Sequence, residues 1–176
     1  MGDLLFFKSP VNSQLSDDVL PHGYRWELWA PSPASAFPEG LHRIQYLAWL
    51  IFHHFRIFAN RDYRIFMIRN ADGRIVHRSI VTPRYFRFPF MKTKDLQIGD
   101  VWTDPDQRGK GLALFAIRKI LVACGSADRF FWYLVEQENL SSIRVAEKAG
   151  LELGGRGAKR SRFGIALLGY YYIAQP

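Results

Sequence analysis

The sequence has one cysteine, no long uninterrupted apolar run and fewer acidic than basic residues. A single cysteine, Cys124, excludes a disulfide within the chain and fits a reducing compartment. We expect Cys124 to pack at the end of a helix. The apolar stretch over 44–58 is interrupted by polar residues and is shorter than the ~20 residues that span a bilayer. The N-terminus lacks a basic leader followed by a long apolar segment, so we expect a cytoplasmic protein.

Basic residues outnumber acidic ones by 24 to 16, which gives a formal net charge of +8. This charge favours an anionic partner such as nucleic acid, an anionic membrane or a phosphorylated small molecule. Basic residues cluster at 84–94 and 156–162, but neither cluster is a long run and no nucleic-acid motif accompanies them. A solvated basic face is the default interpretation of each cluster, and phosphate recognition is the next.

The composition, with 48% hydrophobic and 23% charged residues in 176, is typical of one globular domain. Residues 1–22 show no clear period and are interpreted as an irregular N-terminal extension to a domain over 23–176. The apolar pattern predicts helices over about 38–58, 109–124 and 141–149. The predicted strands are 24–30, 63–69, 75–82, 96–103, 130–136, 151–156 and 163–173.

A basic, glycine-containing segment, Gln-Arg-Gly-Lys-Gly-Leu-Ala over 107–113, lies between a predicted strand and a predicted helix. Glycine lets the backbone approach an anion, and the first turn of a helix has unpaired N–H groups and a positive dipole end. The segment predicts a phosphate cradle. It fits neither the P-loop nor the dinucleotide fingerprint, because Leu112 follows Gly111 and three suitably spaced glycines are missing.

Arg108, Gly111 and Ala113 read Arg-x-x-Gly-x-Ala, and the segment 139–151 reads Asn-Leu-Ser-Ser-Ile-Arg-Val-Ala-Glu-Lys-Ala-Gly-Leu. In this order, the two motifs resemble those of the GCN5-related N-acetyltransferase (GNAT) superfamily. The resemblance implies a single α/β (α+β) domain. Its sheet would be mixed, mostly antiparallel, of about seven strands, flanked by helices and splayed at the acyl-CoA site.

The resemblance also implies that acetyl-CoA, or another short acyl-CoA, is the cosubstrate and that no metal is needed. Backbone groups at the end of strand 96–103 would hold the acyl chain and polarise the thioester carbonyl. The residues implied to bind the cosubstrate are Trp102, Thr103, Arg108, Gly109, Lys110, Gly111, Leu112, Ala113, Asn139 and Ser142. Taken singly, the glycines could serve a turn and Asn139 could merely cap a helix.

The sequence departs from the superfamily pattern at Ala146, where many relatives carry a tyrosine that protonates the leaving thiolate. Alanine has no proton to donate. A thiol with a pKa near 8.5 can leave as a thiolate at modest energetic cost, so acyl transfer need not be lost without this tyrosine. Tyr133, Tyr170, Tyr171 and Tyr172 are candidate replacements.

An attacking amine must lose its proton, which requires a base or a water chain. Asp100, before the end of the acyl-binding strand, is the first candidate, His77 the second and Glu136 the third. Asp100 could instead form an ordinary ion pair, and His77 could be a buried structural residue. Adjacent His53 and His54 form no metal-binding pattern.

The segments 46–58 and 82–94 correspond to those that shape the acceptor pocket in the superfamily. Arg84, Tyr85 and Arg87 would suit a ring-containing phosphorylated acceptor. The segment 85–90 resembles acyltransferases of bacterial surface-polysaccharide biosynthesis, which implies an amino sugar on a nucleotide carrier. The alternatives are a protein N-terminus or lysine as acceptor, and a non-catalytic acyl-CoA sensor. A homodimer is left open.

Overall fold

In the described part of the chain, eight strands form one sheet, accompanied by three α-helices and a short 3-10 helix over Pro105–Gln107. The computed structural model describes residues 3–10, 19–32, 35, 37–41, 43–162 and 165–175. The helices are α1 (Arg43–His54), α2 (Leu112–Ala123) and α3 (Leu140–Lys148). The strands are β1 (Leu4–Lys8), β2 (Arg25–Trp29), β3 (Arg64–Arg69), β4 (Ile75–Pro83), β5 (Leu96–Thr103), β6 (Phe131–Glu136), β7 (Glu152–Arg162) and β8 (Ile165–Gln175).

The sheet has the order β2-β3-β4-β5-β6-β1-β7-β8, and β5 with β6 is its parallel pair. These two strands pair only where Leu96–Ile98 faces Phe131–Tyr133. β5 then continues to Thr103 and β6 to Glu136 without further pairing between them. The sheet therefore opens between β5 and β6. This confirms the mixed, mostly antiparallel, splayed sheet that the superfamily resemblance implied.

The first strand differs from the sequence prediction. Residues 1–22 were expected to be irregular, yet Leu4–Lys8 form β1, which pairs with β6 on one side and β7 on the other. Leu5, Phe6 and Phe7 are all buried. A strand covered on both faces gives an apolar run without the alternation that marks a half-exposed strand. The irregular assignment was wrong for these residues, while 1–2 and 11–18 lie outside the described residues.

Each face of the sheet carries a hydrophobic core. On the α2 face, side chains of α2 and α3 such as Ile117 and Ala146 pack against the sheet. On the opposite α1 face, Tyr46 of α1 packs with Tyr63 and with the segment 84–95. The prediction that Cys124 packs at a helix end is confirmed, because it caps α2 and joins the α2-face core. No helix in the described ranges is long and apolar enough to cross a membrane.

Candidate functional site

The opening between β5 and β6 is part of a cleft of about 640 Å³. Its walls come from the end of β5, the loop before α2, the first turn of α2, residues along α3, and Tyr133 of β6. The lining residues are Val101, Trp102, Thr103, Gln107, Arg108, Gly109, Gly111, Leu112, Ala113, Leu114, Tyr133, Asn139, Ser141, Ser142, Val145 and Lys148. The structure thus brings together every residue predicted to bind the cosubstrate except Lys110.

The loop before α2 presents unpaired backbone donors to the cleft. Gly109 and Gly111 both have φ of 78°, in the left-handed region that favours glycine, and Gly111 caps the helix. The N–H of Phe115 donates to the carbonyl of Gly111 at 2.9 Å, which closes the first helical turn. The first N–H groups of α2, which belong to residues 112–114, therefore have no intrahelical partner. Together with the helix dipole and the charge of Arg108, these groups favour an anion at this position.

Lys110 braces the outside of this loop. Its Nζ donates to Gln107 Oε1 at 2.7 Å and to the Tyr24 hydroxyl at 3.2 Å. The Tyr24 hydroxyl in turn donates to Gln107 Oε1 at 2.6 Å. Lys110 thereby fixes the loop against the chain before β2, and it lies outside the cleft lining.

A β-bulge lies in β5 where the sheet opens. Trp102 faces Arg78 and Gly99 faces Ile80, so Asp100 and Val101 together oppose the single residue Ser79. Asp100 has φ of 46°. A bulge whose first residue is left-handed usually contains glycine there, and aspartate is among the side chains that tolerate this conformation best. The bulge re-aims the side chains of β5 beside the cleft.

Asp100 lies in an accessible ion pair. Arg78 Nε donates to Asp100 Oδ2 at 2.9 Å, and Nη2 approaches Oδ1 at 3.5 Å. The Asp100 side chain is 47% exposed and that of Arg78 is 23% exposed. The guanidinium lies 5.1 Å from the ring centre of Trp102, a cleft residue. The predicted base therefore stands beside the cleft with a carboxylate that solvent can reach.

His77 is inside the protein, with both ring nitrogens engaged. Nδ1 lies 2.8 Å from Thr103 Oγ1 and Nε2 lies 2.9 Å from Ser79 Oγ. Burial, followed by the charge of Arg78, lowers the pKa of His77 to about 3. The ring is fully buried and neutral. This arrangement ties the end of β5 to β4 and leaves the second predicted catalytic residue no free nitrogen for a substrate.

Tyr133 lies at the apex of the opening, as the last β6 residue that pairs with β5. It lines the cleft and is 4% exposed. Burial raises the pKa of its hydroxyl, and a hydrogen bond with the side chain of Ser142 partly offsets this effect. Ala146, by contrast, is completely buried in the α2-face core. The three tyrosines over 170–172 lie on β8, at the far edge of the sheet.

Asn139 both caps α3 and lines the cleft. It caps α3, because its Oδ1 accepts from the Ser142 N–H at 3.1 Å and from Ser141 Oγ at 2.9 Å. It also lines the cleft with both serines. The cap orients the polar start of α3 towards the opening between the strands.

The residues predicted to bind the acceptor, Arg84, Tyr85 and Arg87, are not among the cleft-lining residues. Tyr85 is buried in the α1-face core, and burial raises its pKa to about 12. The Arg84 carbonyl accepts from the Ala59 N–H at 2.9 Å, and the Arg87 carbonyl accepts from the Tyr171 N–H at 2.8 Å. In the structure these residues join their loop to neighbouring segments.

Sequence reasoning missed two polar groups near Asp100. Tyr46 and Tyr63 are 1% and 0% exposed, and their hydroxyl groups have no hydrogen-bond partner among the described residues. Burial raises the pKa of both hydroxyls. The charge of Arg78 lowers and that of Asp100 raises the pKa of Tyr46, while Tyr46 and Asp100 raise the pKa of Tyr63 further. No local motif marks these residues, since aromatic side chains in apolar segments usually predict core packing. The described ranges contain no group of three or more His, Cys, Asp or Glu residues that could hold a metal ion.

Solved structures share this fold at low sequence identity. An acetyltransferase of the GNAT family from Novosphingobium aromaticivorans is 20% identical, with a TM-score of 0.55 over 88% of this chain and 61% of that one. A GCN5-related N-acetyltransferase from Sphaerobacter thermophilus is 15% identical, with a TM-score of 0.59 over 88% and 49%. A tandem GNAT protein from the clavulanic acid biosynthesis pathway is 17% identical, with a TM-score of 0.57 over 86% and 50%. The chain therefore spans about half to three fifths of the length of these proteins.

The search of curated proteins gave no match. The model of the Acetyltransferase (GNAT) family matches residues 24–151. This span is more than half of the chain and contains the loop before α2, the bulge in β5 and the start of α3. The chain therefore belongs to the Acetyltransferase (GNAT) family.

Proposed function

We propose that this protein transfers an acetyl or other short acyl group from acyl-CoA to a primary amine. The observation that carries the proposal is the opening between β5 and β6 directly beside the unpaired N–H groups at the start of α2. An anion site next to an unpaired strand edge suits a molecule that has a pyrophosphate at one end and an amide-containing chain at the other.

The residues of the cleft fit that cosubstrate. The N–H groups at the start of α2, with Arg108, would bind the pyrophosphate. A Cβ at Gly109 or Gly111 would meet nothing within 4 Å, so the backbone there is open to close approach. The edge of β5 beyond Ile98 has no partner on β6 and would pair with the pantetheine amides. A backbone N–H on this edge would also stabilise the oxygen of the attacked carbonyl, an effect of about 2.7 to 4 kcal/mol.

The reaction needs two proton transfers, and the cleft region offers a group for each. The amine nitrogen forms a bond to the thioester carbon, the carbon–sulfur bond breaks, and the acceptor loses one proton. Asp100, directly or through water, is proposed to take that proton. Tyr133 is proposed to protonate the leaving sulfur, because it lines the cleft and a tyrosine hydroxyl is protonated at neutral pH.

Three hypotheses about this protein differ in the amine that it acylates or in whether it acylates one at all. A nucleotide-linked amino sugar, with Arg84, Tyr85 and Arg87 as proposed contacts, remains one candidate acceptor. A protein N-terminus or lysine is the alternative acceptor. A non-catalytic sensor would bind acyl-CoA and release no thiol with any amine.

The test combines binding with turnover. Purified protein is titrated with acetyl-CoA by calorimetry and then given amino-sugar nucleotides, peptides, amino acids and simple amines while free thiol is measured. Micromolar binding with thiol release on one amine class supports the proposed transfer. Binding without release on any class favours the sensor, and absence of binding overturns the proposal.

A further inference from the structure

We propose that the acceptor is a small zwitterion of the α-amino acid class, whose ammonium group binds Asp100 and whose carboxylate binds Arg78. This inference rests on the proposed acyl transfer and names its acceptor. The four side chains that carry it are Arg78, Asp100, Tyr46 and Tyr63, here called the polar quartet.

Arg78 has donor capacity left over. Nε and Nη2 are directed at Asp100, at 2.9 and 3.5 Å. Across the described ranges, no hydrogen bond uses Nη1. A guanidinium carries five N–H donors in a planar fork that matches a carboxylate. The Trp102 ring, 5.1 Å away, supports one side of this plane. A ligand carboxylate is the anion that this remaining edge would bind best.

Asp100 has acceptor capacity left over. A carboxylate offers about four lone-pair sites, and the described contacts of Asp100 use only the two approaches from Arg78. The side chain is 47% exposed, so a ligand can reach it. Because Arg78 and Asp100 already balance each other, a ligand with one positive and one negative group keeps the site neutral. A simple cation or anion would leave an excess charge.

Tyr46 and Tyr63 contribute two hydroxyl groups whose hydrogen bonding is incomplete. Both hydroxyls are buried and have no partner among the described residues. Buried hydroxyls in native proteins are rarely left unpaired, so each one calls for a missing partner. Both lie close enough to Asp100 for its charge to act on them. A water or a polar ligand group that enters this region would complete their hydrogen bonding.

The polar quartet adjoins the acyl-donor cleft. Trp102 and Val101 line that cleft; Val101 forms the bulge together with Asp100, and Trp102 follows it. The ammonium end of the zwitterion would therefore lie next to the strand edge proposed to hold the thioester. The ammonium first loses one proton to Asp100, and the neutral nitrogen then forms the new carbon–nitrogen bond as the carbon–sulfur bond breaks. The nitrogen gives up its second proton to solvent, and the sulfur leaves as a thiolate that Tyr133 protonates. The carboxylate end remains on Arg78 throughout.

The test compares three matched acceptors, namely leucine, leucinamide and isoamylamine. Leucinamide lacks the negative charge of the carboxylate, and isoamylamine lacks the whole carboxyl group. Thiol release from acetyl-CoA gives kcat/KM for each, and calorimetry on the protein saturated with CoA gives the binding of each. We expect leucine to exceed both analogues at least tenfold in kcat/KM and in affinity. Equal values for the three compounds, or no detectable binding of leucine, would overturn the assignment.

Substitution of Arg78 identifies the group responsible. In Arg78→Gln the ratio of kcat/KM for leucine to that for leucinamide should fall towards one, while the affinity for acetyl-CoA is unchanged. Arg78→Lys should keep part of the preference for leucine. Arg69→Gln is the matched control, since Arg69 forms an ion pair with Glu27 at 2.8 Å away from the cleft. A preference that survives in Arg78→Gln would contradict the proposal.

The two readouts separate this inference from the acyl transfer itself. Transfer to all three acceptors without preference overturns the zwitterion and leaves the acyltransferase intact. Carboxylate-dependent binding that requires Arg78 but gives no thiol release supports the zwitterion site and counts against the transfer.

Discussion

The two sides of the opening between β5 and β6 leave different kinds of polar group unpaired. On the α2 side these groups are backbone N–H donors at a helix start, at the wall of an open cleft. On the α1 side they are the buried side-chain hydroxyls of Tyr46 and Tyr63, beside the Arg78–Asp100 ion pair. Backbone donors suit a common cosubstrate, because they survive most side-chain changes. Side-chain groups suit a variable acceptor, because single substitutions can alter them.

Asp100→Asn should have the largest effect and should separate the two sides. The amide cannot accept the amine proton, so kcat should fall on the order of a hundredfold or more. Acetyl-CoA affinity should change little, because the anion site lies on the other side. Steady-state kinetics and calorimetry measure the two quantities. Asp128→Asn is the control, since Asp128 also has a positive φ, of 61°; equal turnover in both variants would remove Asp100 as the base.

Gly111→Val tests the α2 side. A β-branched residue is strained at φ of 78° and would obstruct the approach to the N–H groups at the start of α2. We expect acetyl-CoA affinity to fall about 30-fold or more, which corresponds to about 2 kcal/mol. Gly150→Val provides the control, because Gly150 has φ of 82° and equally open surroundings. Both variants should lose stability, and an equal loss of affinity in both would refute the cradle.

Tyr133→Phe tests the proposed proton donor. Loss of the hydroxyl should lower kcat about tenfold, a modest effect because a thiol of pKa near 8.5 leaves readily. Thioesters of more acidic thiols should be affected less, since their sulfur needs no proton. Tyr172→Phe, on β8, serves as the control for a lost hydroxyl. The same loss of rate with every leaving group would exclude Tyr133 as the acid.

His77 should make the fold sensitive to acid. Its pKa is about 3 in the folded protein and about 6.5 in an unfolded chain, so the unfolded chain takes up the proton first. The contribution to stability is complete above pH 6.5 and is lost at up to about 1.4 kcal/mol per pH unit as pH falls towards 3. Urea unfolding at pH 7, 6, 5 and 4.5 measures the slope. His77→Gln should show a flatter profile, and an identical slope would contradict this role.

Tyr46→Phe should have the smallest effect of these substitutions, and it should raise the stability of the fold where Tyr133→Phe lowers it. Its hydroxyl has no partner among the described residues, so its removal relieves an unpaired buried group and should raise stability by about 1 kcal/mol. Tyr133→Phe should lower stability, because that hydroxyl bonds to Ser142. Thermal unfolding of the two variants compares the sides directly. A clear loss in Tyr46→Phe would show that the hydroxyl has an internal partner.

The α2 side could be predicted from the sequence because its determinants are local. Arg108, Gly111 and Asn139 lie in short segments, and the strand–loop–helix order fixes where their backbone groups point. The prediction of strands over 63–69 and 75–82 is confirmed for the same reason, since β3 and β4 form a hairpin whose turn chemistry is continuous in the chain. Short-range patterns therefore predicted the strand–loop–helix order and the residues that meet in the cleft.

The α1 side could not be predicted because its determinants are distant in the chain. The ion pair of Arg78 with Asp100 and the packing of Tyr46 with Tyr63 form only after α1, β3 and β4 have assembled on β5. The bulge that presents Asp100 depends on register with Ser79 and leaves no composition signal. β1 was missed for a related reason, because its place between β6 and β7 removes the alternation of a half-exposed strand. Contacts between residues distant in the chain thus determine the α1 side, the bulge in β5 and the position of β1, none of which a short motif specifies.

Calorimetric titration with acetyl-CoA tests the central claim most directly, namely that the opening between β5 and β6 is an acyl-CoA site. We predict one acetyl-CoA site per chain with micromolar affinity. The affinity should be lower in Gly111→Val and unchanged in Gly150→Val. Absence of binding, or binding that both variants weaken equally, would contradict it.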